Sequence, residues 1–112
     1  MRIDRLDDVR RARVAAGRLY EEFLRMPSMS AGLYELPAGG ADPQRPHVED
    51  ELYYVVAGSA TFEHSGERRI VGPGDTIFVD AQAPHRFVDI TEDLSLLVMF
   101  APAESSNGSV QE

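Results

Sequence analysis

The sequence predicts an all-β protein, a small sandwich or barrel of short strands. Three observations carry this reading. From residue 18 onward apolar and polar residues alternate with the period of two that belongs to strands. Turn-forming residues interrupt that pattern every several positions, at PAGGADP (37–43), SG (65–66), GPG (72–74) and AQAP (81–84). Almost nothing in the chain has helical periodicity, and closely spaced short strands without helices are the pattern of sandwiches and barrels.

The elements follow in order. Residues 1–17 are charged and Ala-rich, and two readings stay open for them. One is a short helix capped by Asp7 or Asp8, running through Ala16 and ended by Gly17; the other is a mobile arm. The barrel domain is expected over 18–102. Leu19 to Arg25 and Ser28 to Leu36 are the first two expected strands, separated at Pro27. Glu51 to Ala57 ends at Gly58, and Ser59 to His64 with Arg68 to Val71 form a hairpin across Ser65-Gly66. Thr76 to Val79, His85 to Ile90 and Leu94 to Phe100 complete a set of eight or nine short strands. The tail, 103–112, is rich in Ser, Asn, Gly and Gln and is expected to be disordered. Phe78, Phe87, Met99 and Phe100 are assigned to the core.

Composition narrows the function classes. At 112 residues the chain fits one domain, and 43% hydrophobic residues provide a single, marginal core that self-association would support. The net charge is −8, from 19 acidic and 11 basic residues, which argues against nucleic acid or an anionic membrane as partner. Every basic residue is Arg; with no Lys, Schiff-base chemistry is excluded. With no Cys there are no disulfides, thiolate ligands or cysteine nucleophiles. No apolar run is long enough to cross a bilayer, and MRIDRLDDVRR does not read as a secretory signal, so a cytoplasmic location is the default expectation. No GxSxG elbow, P-loop or dinucleotide fingerprint is present.

Two segments carry the chemistry: PHVEDELYYVVAG (46–58) and GPGDTIFVDAQAPHRFVD (72–89). Strand alternation puts Glu51, Tyr53 and Val55 on one face and His85 with Phe87 on one face. If those faces point inward, His47, Glu51 and His85 converge. Two imidazoles and a carboxylate suit iron, manganese, nickel, copper or zinc. Pro46 and Pro84 each precede one of these histidines and favour edge or loop-entry positions.

In this pattern the sequence resembles the cupin superfamily, in its small single-domain group. The first cupin motif is Gly, five residues, His, one residue, His, three or four residues, Glu, six residues, Gly. Gly39 begins it here, His47 takes the second histidine position, Glu51 the glutamate and Gly58 the closing glycine. The second motif starts at Gly74 and places His85 at its histidine. Asp80, Gln82 and Asp89 stand where Pro, Gly and Asn are common. The resemblance covers roughly residues 28–100 and implies a double-stranded β-helix, or jelly-roll barrel, commonly a homodimer, with a divalent metal ion as cofactor.

One departure bears on that implication. Arg45 occupies the first histidine position, and a guanidinium cannot ligate a metal. Gln44 is the neighbouring neutral oxygen donor and a candidate fourth ligand; otherwise water or substrate completes a two-histidine, one-carboxylate set. Arg45 is a candidate clamp for a substrate carboxylate, with a salt bridge to Glu49 or Asp50 as the simpler alternative. Tyr34, Tyr53 and Tyr54 are mostly packing, with a cavity-facing phenol such as Tyr53 a candidate substrate contact. His64, at a hairpin end, is read as exposed.

The leading functional expectation is a metal-dependent enzyme acting on a small molecule, with Arg45 orienting an anionic group: a dioxygenase, or an isomerase, lyase or cyclase. The competing expectation is a non-catalytic small-molecule binding or sensing barrel, which need not hold a metal. A structural or storage barrel fits the fold but leaves the convergence of His47, Glu51 and His85 without a reason.

Overall fold

The computed structural model describes residues 1–44 and 46–105; Arg45 and residues 106–112 lie outside the described residues. One helix, α1 (Leu6–Ala16), precedes six strands: β1 (Tyr20–Met26), β2 (Met29–Leu36), β3 (Asp50–His64), β4 (Glu67–Val71), β5 (Thr76–Val79) and β6 (His85–Ala101). They pair antiparallel in the order β1-β2-β6-β3-β4, with β5 added to β3. The architecture is a jelly-roll barrel, as the resemblance to cupins implies and within the sandwich-or-barrel class that the strand pattern predicts.

The N-terminal segment forms the helix rather than a mobile arm. Gly17 adopts the left-handed conformation, and the Gly17 and Arg18 N–H groups donate to the carbonyls of Val14 and Arg13. This double closure satisfies the terminal carbonyls and stops the helix where a glycine was expected to. Asp7 and Asp8 are not its caps: Arg5 holds the N-cap position without a side-chain bond, and the two acids lie in the first turn, where they meet the positive end of the helix dipole. The helix is fastened by Glu35 of β2, which receives Arg10 at 2.8 Å, Arg13 at 3.0 Å and the Ser95 hydroxyl at 2.7 Å. Burial acts to raise the Glu35 carboxyl, but the Ser95 hydroxyl and the two guanidiniums outweigh it and hold it below its ordinary value.

The expected strands on either side of Gly58 are one strand, and so are those on either side of residues 91–93. Both β3 and β6 run through these points and stay paired from Asp50↔Ala101 to His64↔His85, with register shifts between Val55 and Thr61. The reason is local. Gly58 has φ +95°, and a Cβ there would collide with the Asp93 carbonyl oxygen. A glycine that looks like a strand end instead absorbs a bulge, letting the paired strands bend without parting.

The bend encloses a core of Tyr34, Leu36, Tyr53, Val55, Phe87, Leu94, Leu96 and Phe100, each at most 1% exposed. Phe87 and Phe100 are in the core as expected, whereas Met99 is half-buried and Phe78 is 61% exposed. In β5 Phe78 shares the outer face with Thr76, while Val79 is buried. Residues 103–105, assigned to a disordered tail from their composition, are tied to the barrel. The Ala103, Glu104 and Ser105 N–H groups donate to the Pro27 carbonyl, Ser30 Oγ and Glu49 Oε2, and Glu104 is buried. The rest of that expected tail lies outside the described residues. Among the described residues no helix is long and apolar enough to cross a membrane.

Gly58→Ala is expected to lose roughly 1–3 kcal/mol from backbone strain alone, with the contact at Asp93 adding to it. Chemical denaturation of the two proteins measures this directly.

Candidate metal centre

His47 lies just before β3, Glu51 is the second residue of β3 and His85 is the first residue of β6. The folded ladder brings all three to one interior point, at 1%, 2% and 8% exposure respectively. One ligand atom from each lies within 4.8 Å of the others. Glu51 Oε1 is 2.8 Å from His85 Nε2 and 3.7 Å from His47 Nε2. Gln44 Oε1 is 3.3 Å from His47 Nε2, so the proposed fourth donor also faces the point. Two donors bound to one ion at about 2.1 Å, at tetrahedral or octahedral angles, lie about 3.0–3.4 Å apart. The observed separations bracket that range.

Two of these donors are aimed by a partner. His85 Nδ1 is 2.7 Å from the Ala83 carbonyl, an acceptor only, so Nδ1 carries the proton and Nε2 turns inward. Gln44 is oriented by Asp42: its amide nitrogen donates to Asp42 Oδ2 at 2.7 Å, which turns Oε1 toward His47 and Tyr53. Asp42 also accepts from Tyr34 Oη at 2.5 Å and from the Phe87 N–H at 2.9 Å. Asp42 was not among the residues singled out in the sequence. The loop 80–84 is tied down in turn, with the Gln82 N–H donating to the His47 carbonyl and the Ala81 N–H to Asp50 Oδ1.

The electrostatics favour a positive charge between these groups. With Nδ1 committed to Ala83, His85 Nε2 and Glu51 Oε1 would face each other at 2.8 Å through lone pairs unless a proton or a cation lies between. Burial acts to lower His85, but the Glu51 carboxylate outweighs it and raises the imidazole above its ordinary value. Buried Glu51 Oε1 and His47 Nδ1 lack well-formed hydrogen bonds among the described residues. Two imidazole nitrogens, a carboxylate and an amide oxygen fit a divalent first-row ion in number, chemistry and spacing.

Tyr53 is fully buried inside this ring, not on an open substrate surface. Its hydroxyl donates to Gln44 Oε1 at 2.7 Å and lies 3.1 Å from His85 Nε2. Burial, reinforced by the charges of Glu51 and Asp42, pushes its phenol well above its ordinary value, so it keeps its proton. Arg45, the other expected substrate contact, lies outside the described residues. Of the two acids offered as salt-bridge partners for Arg45, Glu49 is buried and accepts from the Ser105 N–H, and exposed Asp50 accepts from the Ala81 N–H. His64 is half-buried rather than exposed. With Pro46, Pro84, Arg68 and Arg86 it lines a cleft of about 480 Å³ that reaches His85.

The profile of the Cupin domain family matches residues 32–100, well over half of the chain. The chain is a cupin. This cupin is 44% identical, over 105 residues, to an uncharacterized protein of Streptomyces coelicolor, covering 94% of this chain and all of that one. It is 37% identical over 59 residues to the dimethylsulfoniopropionate lyase DddQ of Ruegeria pomeroyi, covering 52% of this chain but 29% of the lyase. The crystal structure of that lyase superposes with a TM-score of 0.67 at 23% identity, over 90% of this chain and 66% of the lyase, a likeness of fold. The structure of TT1209 from Thermus thermophilus superposes with a TM-score of 0.72 at 25% identity, over 92% of this cupin and 99% of that chain.

The raised His85 sets a pH dependence for metal-free protein. Its contribution is full below the ordinary histidine value of 6.5 and is lost as pH rises through the higher folded value. The stability advantage of metal-stripped wild type over His85→Gln is therefore expected to shrink above that point. Thermal unfolding across pH reads it; an advantage that stays constant would dissolve the charged His85–Glu51 pair.

Proposed function

We propose that this cupin is a metal-dependent enzyme acting on a small carboxylate-bearing molecule, with His47, Glu51 and His85 holding a divalent ion and Gln44 completing the set. The observation that carries the reading is the 2.8 Å approach of His85 Nε2 to Glu51 Oε1, with the His85 ring already fixed by Ala83. A divalent ion bound there would act as a Lewis acid toward a carbonyl or carboxylate, or, if it is iron, support dioxygen chemistry. The lyase named among the relatives acts on a propionate and favours the non-redox branch. Tyr53 would hold a proton at the inner wall of the site, and the cleft at His64 and His85 would admit substrate. The role of Arg45 as a carboxylate clamp rests on its place in the sequence between Gln44 and His47.

A metal-free binding barrel is the second reading. It is favoured by the same pair, because an imidazolium–carboxylate contact satisfies both groups without an ion. Elemental analysis of untagged wild type beside the His47→Ala/His85→Ala double variant separates the two. Near-stoichiometric metal in wild type and its loss in the variant is the expected result. Metal absent from wild type after reconstitution with divalent ions removes the enzyme reading and leaves the binding barrel.

The protein is further proposed to form a homodimer through the outer face of β3 and β5. Leu52, Tyr54 and Phe78 are 38%, 39% and 61% exposed there, with Met29 beside them at 36%. Copies that each carry a net charge of −8 repel elsewhere, and this apolar strip is where contact costs least. Light scattering of purified protein is expected to give twice the chain mass, and Phe78→Arg half of that; a monomeric wild type would refute the interface.

A further inference from the structure

His85 is aimed by a carbonyl, and Gln44 by Asp42, but among the described residues of the matched cupin region His47 Nδ1 has no such partner. Its Nδ1 is buried and lacks a well-formed hydrogen bond among the described residues. What lies beside it comes from outside residues 32–100: Glu104 Oε2 is 3.3 Å from His47 Nδ1, with the Glu104 side chain 8% exposed. We propose that Glu104 is the positioning residue of His47, fixing the proton on Nδ1 and turning Nε2 toward Glu51 and Gln44.

Three observations support the assignment. The backbone around Glu104 is already anchored, through Ser30 Oγ at 2.8 Å and Glu49 Oε2 at 3.1 Å, so the carboxylate is not needed to hold the segment down. Burying a carboxylate is costly unless it is paired, and His47 Nδ1 at 3.3 Å is such a partner, beside the electrostatic influence of Glu104 on Tyr20 and Arg25. The direction is also right: Glu104 meets Nδ1, while Nε2 faces Glu51 at 3.7 Å. The 3.3 Å approach is within hydrogen-bond reach, although its geometry falls short of a well-formed bond. An imidazole held between a carboxylate on one side and a bound cation on the other has a fixed tautomer and greater basicity as a ligand. The effect on metal affinity rests on the metal-centre reading; the effect on the tautomer does not.

The test compares full-length wild type, Glu104→Gln and Glu104→Ala. Long-range proton–nitrogen NMR of metal-stripped protein, recorded across a pH series, reports the protonation pattern and tautomer of the His47 ring. Wild type is expected in the Nδ1–H form. Glu104→Gln, whose amide oxygen can accept the same bond, should keep it, and Glu104→Ala should shift toward Nε2–H. Zinc affinity by chelator competition should fall about 10–100-fold in Glu104→Ala, with Glu104→Gln between. A wild-type Nε2–H tautomer, or a tautomer unchanged in Glu104→Ala, overturns the proposal even if zinc affinity falls. If Glu104→Ala does not fold, Glu104→Gln decides: loss of the Nδ1–H form in this near-isosteric variant refutes the role, and its retention with weakened zinc binding supports it. If wild type binds no zinc, the metal reading fails and the tautomers alone judge Glu104.

Discussion

The structure depends on a doubled-back ladder between β3 and β6. His64 is thirteen positions beyond Glu51 on β3, which in a straight strand is about 43 Å at ~3.3 Å per residue. The described residues extend only 38 Å in their longest dimension. His85 is paired with His64, yet its ring touches Glu51. Both statements hold only if the ladder curls, and the register shifts around Gly58 are where it does so. A straight β3 would put Glu51 and His85 on opposite ends of the protein, so the same bend closes the core and assembles the donors.

Polar order inside the curl is maintained from outside the donor ring. Ala83 fixes His85, Asp42 fixes Gln44, and the loops that carry these residues are themselves tethered. Low dielectric makes each of those constraints stronger than it would be in water and makes any unpaired member costly. The result is a set of inward-facing acceptor atoms whose orientations are decided by neighbours that never face the central point. Tyr53, holding its proton, donates to Gln44 Oε1 and keeps its oxygen 3.1 Å from His85 Nε2, so one phenol stands against both groups.

Much of this was legible in the sequence, for identifiable reasons. Glu51, Tyr53 and Val55 alternate cleanly and face inward; His85 and Phe87 do the same. The spacing from Gly39 to Gly58, with the second motif from Gly74, pointed to the family and to His47, Glu51 and His85, which the fold brings together. Other features depend on geometry that no local pattern reveals. Gly58 has the signature of a strand end, and only its approach to Asp93 shows that pairing continues through it. Phe78 reads as core because it is aromatic, although Thr76 two residues earlier already marks its face as outward. Asp42 sits in a turn-rich loop, where an acid is ordinary. Glu104 is surrounded by small polar residues, a composition that hides one buried side chain.

The doubled ladder also has a kinetic consequence. Its pairings join residues from 21 positions apart, at His64↔His85, to 51 apart, at Asp50↔Ala101. Such contacts offset chain-closure entropy only after long stretches have been brought together, so folding of this topology is slow for its size. Glu51 belongs to the most distant end of that ladder and His85 to the nearer one. A partly zipped hairpin can hold one without the other, and the inward cluster exists only when zipping is complete. Intermediates on the way to the native state therefore offer scavenging cations no preformed site, which separates the acquisition of chemistry from the acquisition of secondary structure.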